Sequence, residues 1–291
     1  MFITKSDIKI PKRKSSSHKG DNGYVLAIGC CENYTGAIAL AGLSALRSGC
    51  DLVEVIAPEK VALAINAYSL DLVTKKLKGS NFKLSHYGIV KKEIEKFDVV
   101  LIGNGIGLSS ETKKFCKKIT AGTKKLKIID ADAIKSISMD DCCNSIITPH
   151  SRELEIFLEN SNVEKSIIEK IKTQEEVSKK ARLIQKVMKN FLEKENIVLL
   201  KGKVDLIISK DRIFFVKGGN PGMTKSGTGD VLAGLCAGFL AQSKDILQSA
   251  INASYFGKMI GDILLKKKKG FTFLASDMVM EIKKSKKYFQ S

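Results

Sequence analysis

The segment that could do chemistry runs Gly218-Gly-Asn-Pro-Gly-Met-Thr-Lys-Ser-Gly-Thr-Gly-Asp230 and leads directly into the apolar stretch Val231–Leu240. Gly227, Thr228 and Gly229 open a predicted helix. A glycine-rich turn lets backbone N–H groups converge on an oxyanion, and the positive end of a helix adds to the attraction. Asp230 falls in the first turn, beside that anion hole. Phosphoryl transfer to a hydroxyl needs this pair: a carboxylate accepts the hydroxyl proton, and the N–H groups stabilise charge on the transferred group. A plain N-capped helix after a glycine-rich loop is the competing reading. No Gly-Lys-Ser/Thr closes the loop, so it is not a Walker A motif.

Other special residues fall where predicted strands end. Val99-Val-Leu-Ile is followed by Gly103-Asn-Gly105-Ile-Gly107, and Lys127-Ile-Ile by Asp130-Ala-Asp132. Ile146-Ile147 leads into Thr148-Pro149-His150, and Ile197-Val-Leu-Leu into Lys201-Gly202. In open α/β sheets ligands bind beyond the carboxyl ends of the strands. Four such ends carrying special residues exceed chance punctuation.

The elements that must position these residues alternate. Strands are predicted at 24–29, 52–57, 99–103, 127–130, 146–148, 197–201, 205–208 and 213–216. Helices are predicted at 36–48, at 109–120, as one long charged helix over 174–195, and over most of 228–261. Pro58 is expected to open a short helix, and Ser276 with Asp277 to cap a last one. Strands alternating with helices give an α/β fold: a mostly parallel sheet covered on both faces. The close strands at 197–216 suggest an antiparallel addition at one edge. Residues 1–18 read as a polar lead-in and 19–291 as a single catalytic domain.

Composition narrows the class. The 291 residues are 44% hydrophobic and 27% charged, which argues against disorder. No apolar run approaches the roughly 18 residues of a membrane span, and the polar N-terminus does not resemble a secretory signal. The balance of 49 basic to 31 acidic residues gives +18. That charge favours anionic ligands, but the lysines are spread over 75–96, 113–127, 165–194, 258–269 and 283–287 without aromatic interleaving, as solvated helix faces would be. Nucleic acid and membranes are therefore not expected partners. Seven cysteines without Cys-x-x-Cys, and three histidines, support neither a disulfide framework nor zinc. Free thiols fit a cytoplasmic protein.

The Gly-Thr-Gly-Asp turn resembles the anion-hole signature of the ribokinase-like superfamily. Lys19-Gly20-Asp21-Asn22-Gly23, Tyr34-Thr-Gly36-Ala37, Gly105-Ile-Gly107, Asp130-Ala-Asp132-Ala133, Thr148-Pro149-His150 with Glu153, Leu200-Lys201-Gly202 with Asp205, Asn220, Gly222, Met223 and Ala275-Ser276-Asp277 keep the order seen in the ADP/ATP-dependent NAD(P)H-hydrate dehydratases. This resemblance covers roughly residues 19–280. It departs at Asn104, where Gly-Pro-Gly is usual, at Ser151-Arg152, where Pro-Gly is usual, and at Lys225-Ser226, where small residues are usual.

The resemblance implies a ribokinase-like three-layer sandwich and a repair lyase. ADP or ATP, with Mg2+, phosphorylates the ring hydroxyl of hydrated NADH or NADPH, and phosphate then leaves. It implies Asp230 as base, with Gly227, Thr228 and Gly229 as the anion hole. It places Ala37, Gly105 or Gly107, His150 and Asp230 at the hydrated dinucleotide. Lys201, Gly202, Lys203, Val204, Asp205 and Gly229 fall at the adenine nucleotide. No residue is assigned to metal, although Asp130 and Asp132 could orient loops, cap a helix at Asp132, or hold magnesium-bound phosphate through water. For His150 a strand-end histidine satisfied by local backbone competes, and for Lys201 an exposed charge. The family is commonly oligomeric, so a homo-oligomer, for instance a tetramer, is expected. The chain has no room for a fused epimerase, so it would pair with a separate NAD(P)H-hydrate epimerase. A small-molecule kinase of the same fold, acting on hydroxymethylpyrimidine or hydroxyethylthiazole, is the alternative. A non-catalytic regulator is disfavoured by Asp230.

Overall fold

The computed structural model describes residues 1–285; the last six residues, with the end of the 283–287 lysine stretch, lie outside. Among the described residues nine strands form one sheet: β1 (Tyr24–Ile28), β2 (Leu52–Pro58), β3 (Val73–Leu77), β4 (Val99–Ile102), β5 (Leu126–Ile129), β6 (Ser145–Ile147), β7 (Ile197–Leu200), β8 (Asp205–Ile208) and β9 (Ile213–Val216). The order is β3-β2-β1-β4-β5-β6-β7-β8-β9. Strands from β3 to β7 pair in parallel, and β8 and β9 add antiparallel at the far edge. The helices are α1 (Ala37–Ser48), α2 (Glu59–Tyr68), α3 (Tyr87–Ile94), α4 (Ser110–Ala121), α5 (Ser151–Asn160), α6 (Lys165–Thr173), α7 (Val177–Val187), α8 (Lys189–Leu192), α9 (Thr228–Ser243), α10 (Ile246–Lys267) and α11 (Ala275–Ser285).

Alternating strand residues feed two cores, as the pleat requires. Val25, Ala27, Val99 and Leu101 join α1, α2, α9, α10 and α11 on one face. Leu26, Ile28, Val100 and Ile102 join α3 to α8 on the other. The central strands are buried on both faces, which explains their uninterrupted apolar runs. The apolar stretch after Asp230 is α9, wedged between the sheet and α1. Two of its glycines permit that contact: a Cβ at Gly234 would stand 2.1 Å from Ala41 O, and one at Gly238 1.9 Å from Ser48 Oγ. Among the described residues no helix is long and apolar enough to cross a membrane.

Several expectations are corrected. The long charged helix is broken. Gln174 and Glu176 are extended (ψ 109° and 111°), and α7 stops before Met188 (ψ 19°). Ala181, Ile184, Met188, Phe191 and Leu192 recur at helical spacing and all reach one core, so α8 keeps the buried face of α7 across the break at Met188. Pro58 closes β2 and sits just outside α2. The last helix starts at Ala275, and Asp277 accepts from the Leu274 N–H (2.8 Å). β3 has no sequence-level signal because its Lys75 and Lys76 give it the look of a solvated loop; charges on an edge strand guard against pairing with other chains. Among the described residues two lysines are buried. Lys127 is fully buried, with Nζ donating to Thr123 O (2.8 Å) and Lys125 O (3.1 Å), and burial holds its pKa down. Lys258 is also buried. Near the N-terminus Phe2 bridges to Phe215 of β9, and Ile3 is buried.

Candidate active site

Strands β4, β5, β6 and β7 are neighbours and parallel, so their carboxyl ends form one rim. That rim gathers Asn104, Asp130, Thr148 and Lys201. The Thr148 hydroxyl donates to Asp130 Oδ1 at 2.7 Å, and Lys201 Nζ lies 3.1 Å from the same oxygen. Glu153, from the first turn of α5, lies 3.6 Å from Lys201 Nζ. Asn104 Nδ2 donates to Asp130 Oδ2 (2.9 Å) and to Asp230 Oδ1 (2.7 Å). Four strand ends and the start of α9 thus meet in one polar network.

Asp230 is half-buried there. Burial, and then the Asp130 charge, push its pKa up to about 7, against the Asn104 hydrogen bond and Lys201. A carboxyl group so poised can take a proton near neutrality. Burial opposes the charge on Lys201, but the Asp130 and Glu153 carboxylates outweigh it and hold this pKa above its ordinary value.

The anion hole is built by its glycines. Gly227, the residue before α9, has φ 92°, and a Cβ there would meet Ala275 Cβ at 2.8 Å and Leu40 Cδ1 at 2.9 Å. Only glycine fits that left-handed, crowded position. Thr228 Oγ1 lies 2.6 Å from Met223 O and 2.9 Å from Lys225 O, which ties the loop back on itself. At the start of α9 the Thr228 N–H donates to Lys225 O (3.4 Å) and the Val231 N–H to Gly227 O (3.1 Å), which leaves the Gly229 and Asp230 N–H groups for an anion. A Cβ at Gly229 would stand 3.4 Å from Lys201 Nζ, so the lysine lies against this turn.

Ala37 opens α1, and its Cβ would be 3.3 Å from a Cβ at Gly105. Those two residues form one wall. Gly107 N donates to Asp132 Oδ2 (3.0 Å), so Asp132 anchors the 103–107 loop; it does not cap a helix. His150 is the N-cap of α5: Nδ1 accepts from Arg152 N (3.1 Å) and Glu153 N (3.4 Å), and Glu153 accepts from His150 N (2.9 Å). The local-backbone role weighed for this histidine is therefore present, at the exposed rim.

In the 201–205 segment, Gly202 and Lys203 are exposed and Val204 half-buried. Asp205 points inward. It accepts from Gly202 N (2.9 Å) and Ser254 Oγ (2.8 Å) and lies 3.2 Å from Lys258 Nζ. Burial raises its pKa, although Lys258 opposes. Lys258 also donates to Gly202 O (2.9 Å) and Gly218 O (3.2 Å), clipping this segment to the glycine-rich loop. One turn on, Asp262 Oδ2 accepts from Gly219 N (2.9 Å). Sequence reasoning missed Lys258 and Asp262, although their spacing of four on a helix was a usable signal.

Among the described residues no group of three or more His, Cys, Asp or Glu side chains could hold a metal ion. Both Asp130 oxygens are occupied by Asn104, Thr148 and Lys201. These side chains do not form a magnesium cage.

The model of the NAD(P)H-hydrate dehydratase family matches residues 25–284. A bifunctional NAD(P)H-hydrate repair enzyme of Methanothermobacter thermautotrophicus is 34% identical over 287 residues, covering 96% of this chain and 53% of that one. The chain thus spans about half the length of the first curated relatives it matches. An ADP-dependent (S)-NAD(P)H-hydrate dehydratase of Nitrosopumilus maritimus is 32% identical over 282 residues, covering 94% of this chain and 91% of that one. A ribokinase-like superfamily protein of Enterococcus faecalis superposes with TM-score 0.81 at 27% identity, covering 99% and 95%. The rim network, the anion hole and these similarities agree, and the chain belongs to the NAD(P)H-hydrate dehydratase family, with a ribokinase-like fold.

Proposed function

We propose that this chain converts hydrated NADH or NADPH back to NAD(P)H, with ADP or ATP as phosphoryl donor. The observation that carries the reading is Asp230: a carboxyl group raised toward neutrality by burial, in the first turn of α9 and beside the Gly229 and Asp230 N–H groups that no carbonyl among the described residues takes up. Asp230 takes the proton of the ring hydroxyl as its oxygen attacks the terminal phosphoryl group. The backbone of Gly227 to Asp230 holds the transferred group's charge. Hydroxide is a poor leaving group and phosphate a good one. The ring nitrogen's lone pair expels phosphate, a proton leaves the adjacent carbon, and the double bond returns.

In this reading Ala37, Gly105, Gly107 and His150 line the hydrated dinucleotide. Lys201 and the backbone of Gly202, Lys203 and Val204 meet the adenine nucleotide, while Asp205 shapes their turn. Magnesium would neutralise charge on the donor's phosphates, held by the nucleotide rather than by a cage of this chain's described side chains. Residues 19–291 act as one catalytic unit in the cytoplasm, in a homo-oligomer, and an epimerase works alongside; the bifunctional repair relatives support that pairing. The test is incubation with hydrated NADH, magnesium and either ADP or ATP, following dihydronicotinamide absorbance. Recovery that depends on nucleotide supports the reading. No recovery, with phosphorylation of hydroxymethylpyrimidine or hydroxyethylthiazole instead, overturns it.

A further inference from the structure

Asn104 is fully buried between two left-handed glycines, Gly103 (φ 123°) and Gly105 (φ 64°). Its backbone is pinned: Asn104 O accepts from Cys30 N at 2.8 Å, and Gly103 N donates to Ile28 O at 3.1 Å. The side chain therefore hangs beyond the ends of β1 and β4, whose last residues Ile28 and Ile102 are fully buried. Both amide hydrogens are spent on carboxylates, one on Asp230 and one on Asp130. Only the donor end of an amide can stand between two acceptors, so this network fixes its orientation. The other end is telling. Asn104 Oδ1 is buried with no hydrogen-bond partner. Buried amides with a purely structural task are ordinarily satisfied at both ends. In this one only the donors are engaged.

We propose that Asn104 is a positioning residue for Asp230: it fixes one carboxylate oxygen, screens it from Asp130, and leaves the other oxygen to take the proton. The inference rests on Asp230 serving as the base in the reading above. Asp130 is itself held by Thr148 and Lys201, so Asn104 references Asp230 to a rigid frame spanning β5, β6 and β7. Catalytic groups placed on strand ends and locked by neighbours hold the close tolerances that proton abstraction needs.

The test is a double-mutant cycle on the intact chain, with hydrated NADH, magnesium and ADP or ATP, plus thermal unfolding of each variant. Asn104→Ala is expected to lose about 10–100-fold in kcat, since small misplacements of a reacting group cost up to about 10²-fold. The nucleotide KM should stay within about threefold. Added to Asp230→Asn, it should cost less than about threefold more, because residues acting as a unit are not additive. Asn104→Asp keeps the shape and removes the donors, and it should be at least as impaired; it serves also if the alanine variant does not fold. Additive losses, or an Asn104→Asp variant with near-wild-type kcat, overturn the inference alone. A wild type that does not dehydrate overturns both the inference and the function reading beneath it.

Discussion

Asp230→Asn separates catalysis from stability, and the two should move in opposite directions. The variant keeps the side-chain shape, and its amide oxygen can still accept from Asn104 Nδ2. It cannot take a proton. Loss of a general base costs about 10²–10⁴-fold, so turnover should fall by at least about 10² while both nucleotides bind within a few-fold. Stability is worked from the carboxyl group's pKa, which the fold raises from 3.8 to about 7. The fold thus favours the protonated form. The stability this confers is whole below about pH 4 and is lost as pH rises through about 7. Three units at 1.36 kcal/mol each set a ceiling of ~4 kcal/mol. Partial exposure, coupling to Asp130 and the lost helix-terminus charge reduce this to about 1–3 kcal/mol. The asparagine does not ionise, so at pH 8 the variant should melt about 2–6 °C higher than the wild type, at about 2 °C per kcal/mol for a chain of this size. The gap should close by about pH 4. Calorimetry at both pH values and steady-state rates on the same preparation provide the check. Near-wild-type turnover refutes the base assignment. A lower melting temperature at pH 8 refutes the argument that Asp230 is destabilised by burial and by Asp130.

The wild-type kcat/KM should rise with pH through an acid limb near 7, since Asp230 must be ionised to accept a proton; a limb near pH 4 in a rate–pH profile would contradict the geometry. Gly227→Ala forces a Cβ into a left-handed backbone against Ala275 and Leu40, so differential scanning fluorimetry should show a loss of about 1–3 kcal/mol, with the anion hole displaced and turnover reduced. Lys201→Ala leaves Asp130 and Glu153 without their shared cation; denaturant unfolding should register about 3–5 kcal/mol lost, and the nucleotide KM should rise. Six of the seven cysteines are buried and Cys143 is partly exposed, so a thiol reagent should label a single site quickly in the folded protein, and mass spectrometry should find it at Cys143.

Much of this molecule is legible in its sequence. Runs such as Val99–Ile102 and Ile197–Leu200 are apolar at every position, as a strand buried on both faces requires, and their length of four between turn residues suits a strand. The glycines around Asp230 announce a tight anion-binding turn, and the helix that follows is apolar all round because it is buried all round. Elements held by tertiary context escape such reading. β3 is polar because it is an edge, and the helical spacing of the apolar residues over 181–192 runs on through the break at Met188.

The sequence by itself determined the alternation of strands and helices, the anion-hole turn and the carboxylate beside it, because those depend on residue types a few positions apart. Only the tertiary structure decided what these residues do to one another. Asn104, Asp130, Thr148, Lys201 and Asp230 are separated by up to 126 positions, yet parallel pairing of β4, β5, β6 and β7 brings four of them to one rim, and α9 delivers the fifth. Asp230 is raised toward neutrality by burial and by a charge 100 residues away in the chain, and Asn104 is seen to bridge the two carboxylates only once the strand ends are side by side. Charge and hydrogen bonding act through space over a few ångströms, and sequence separation does not measure that distance.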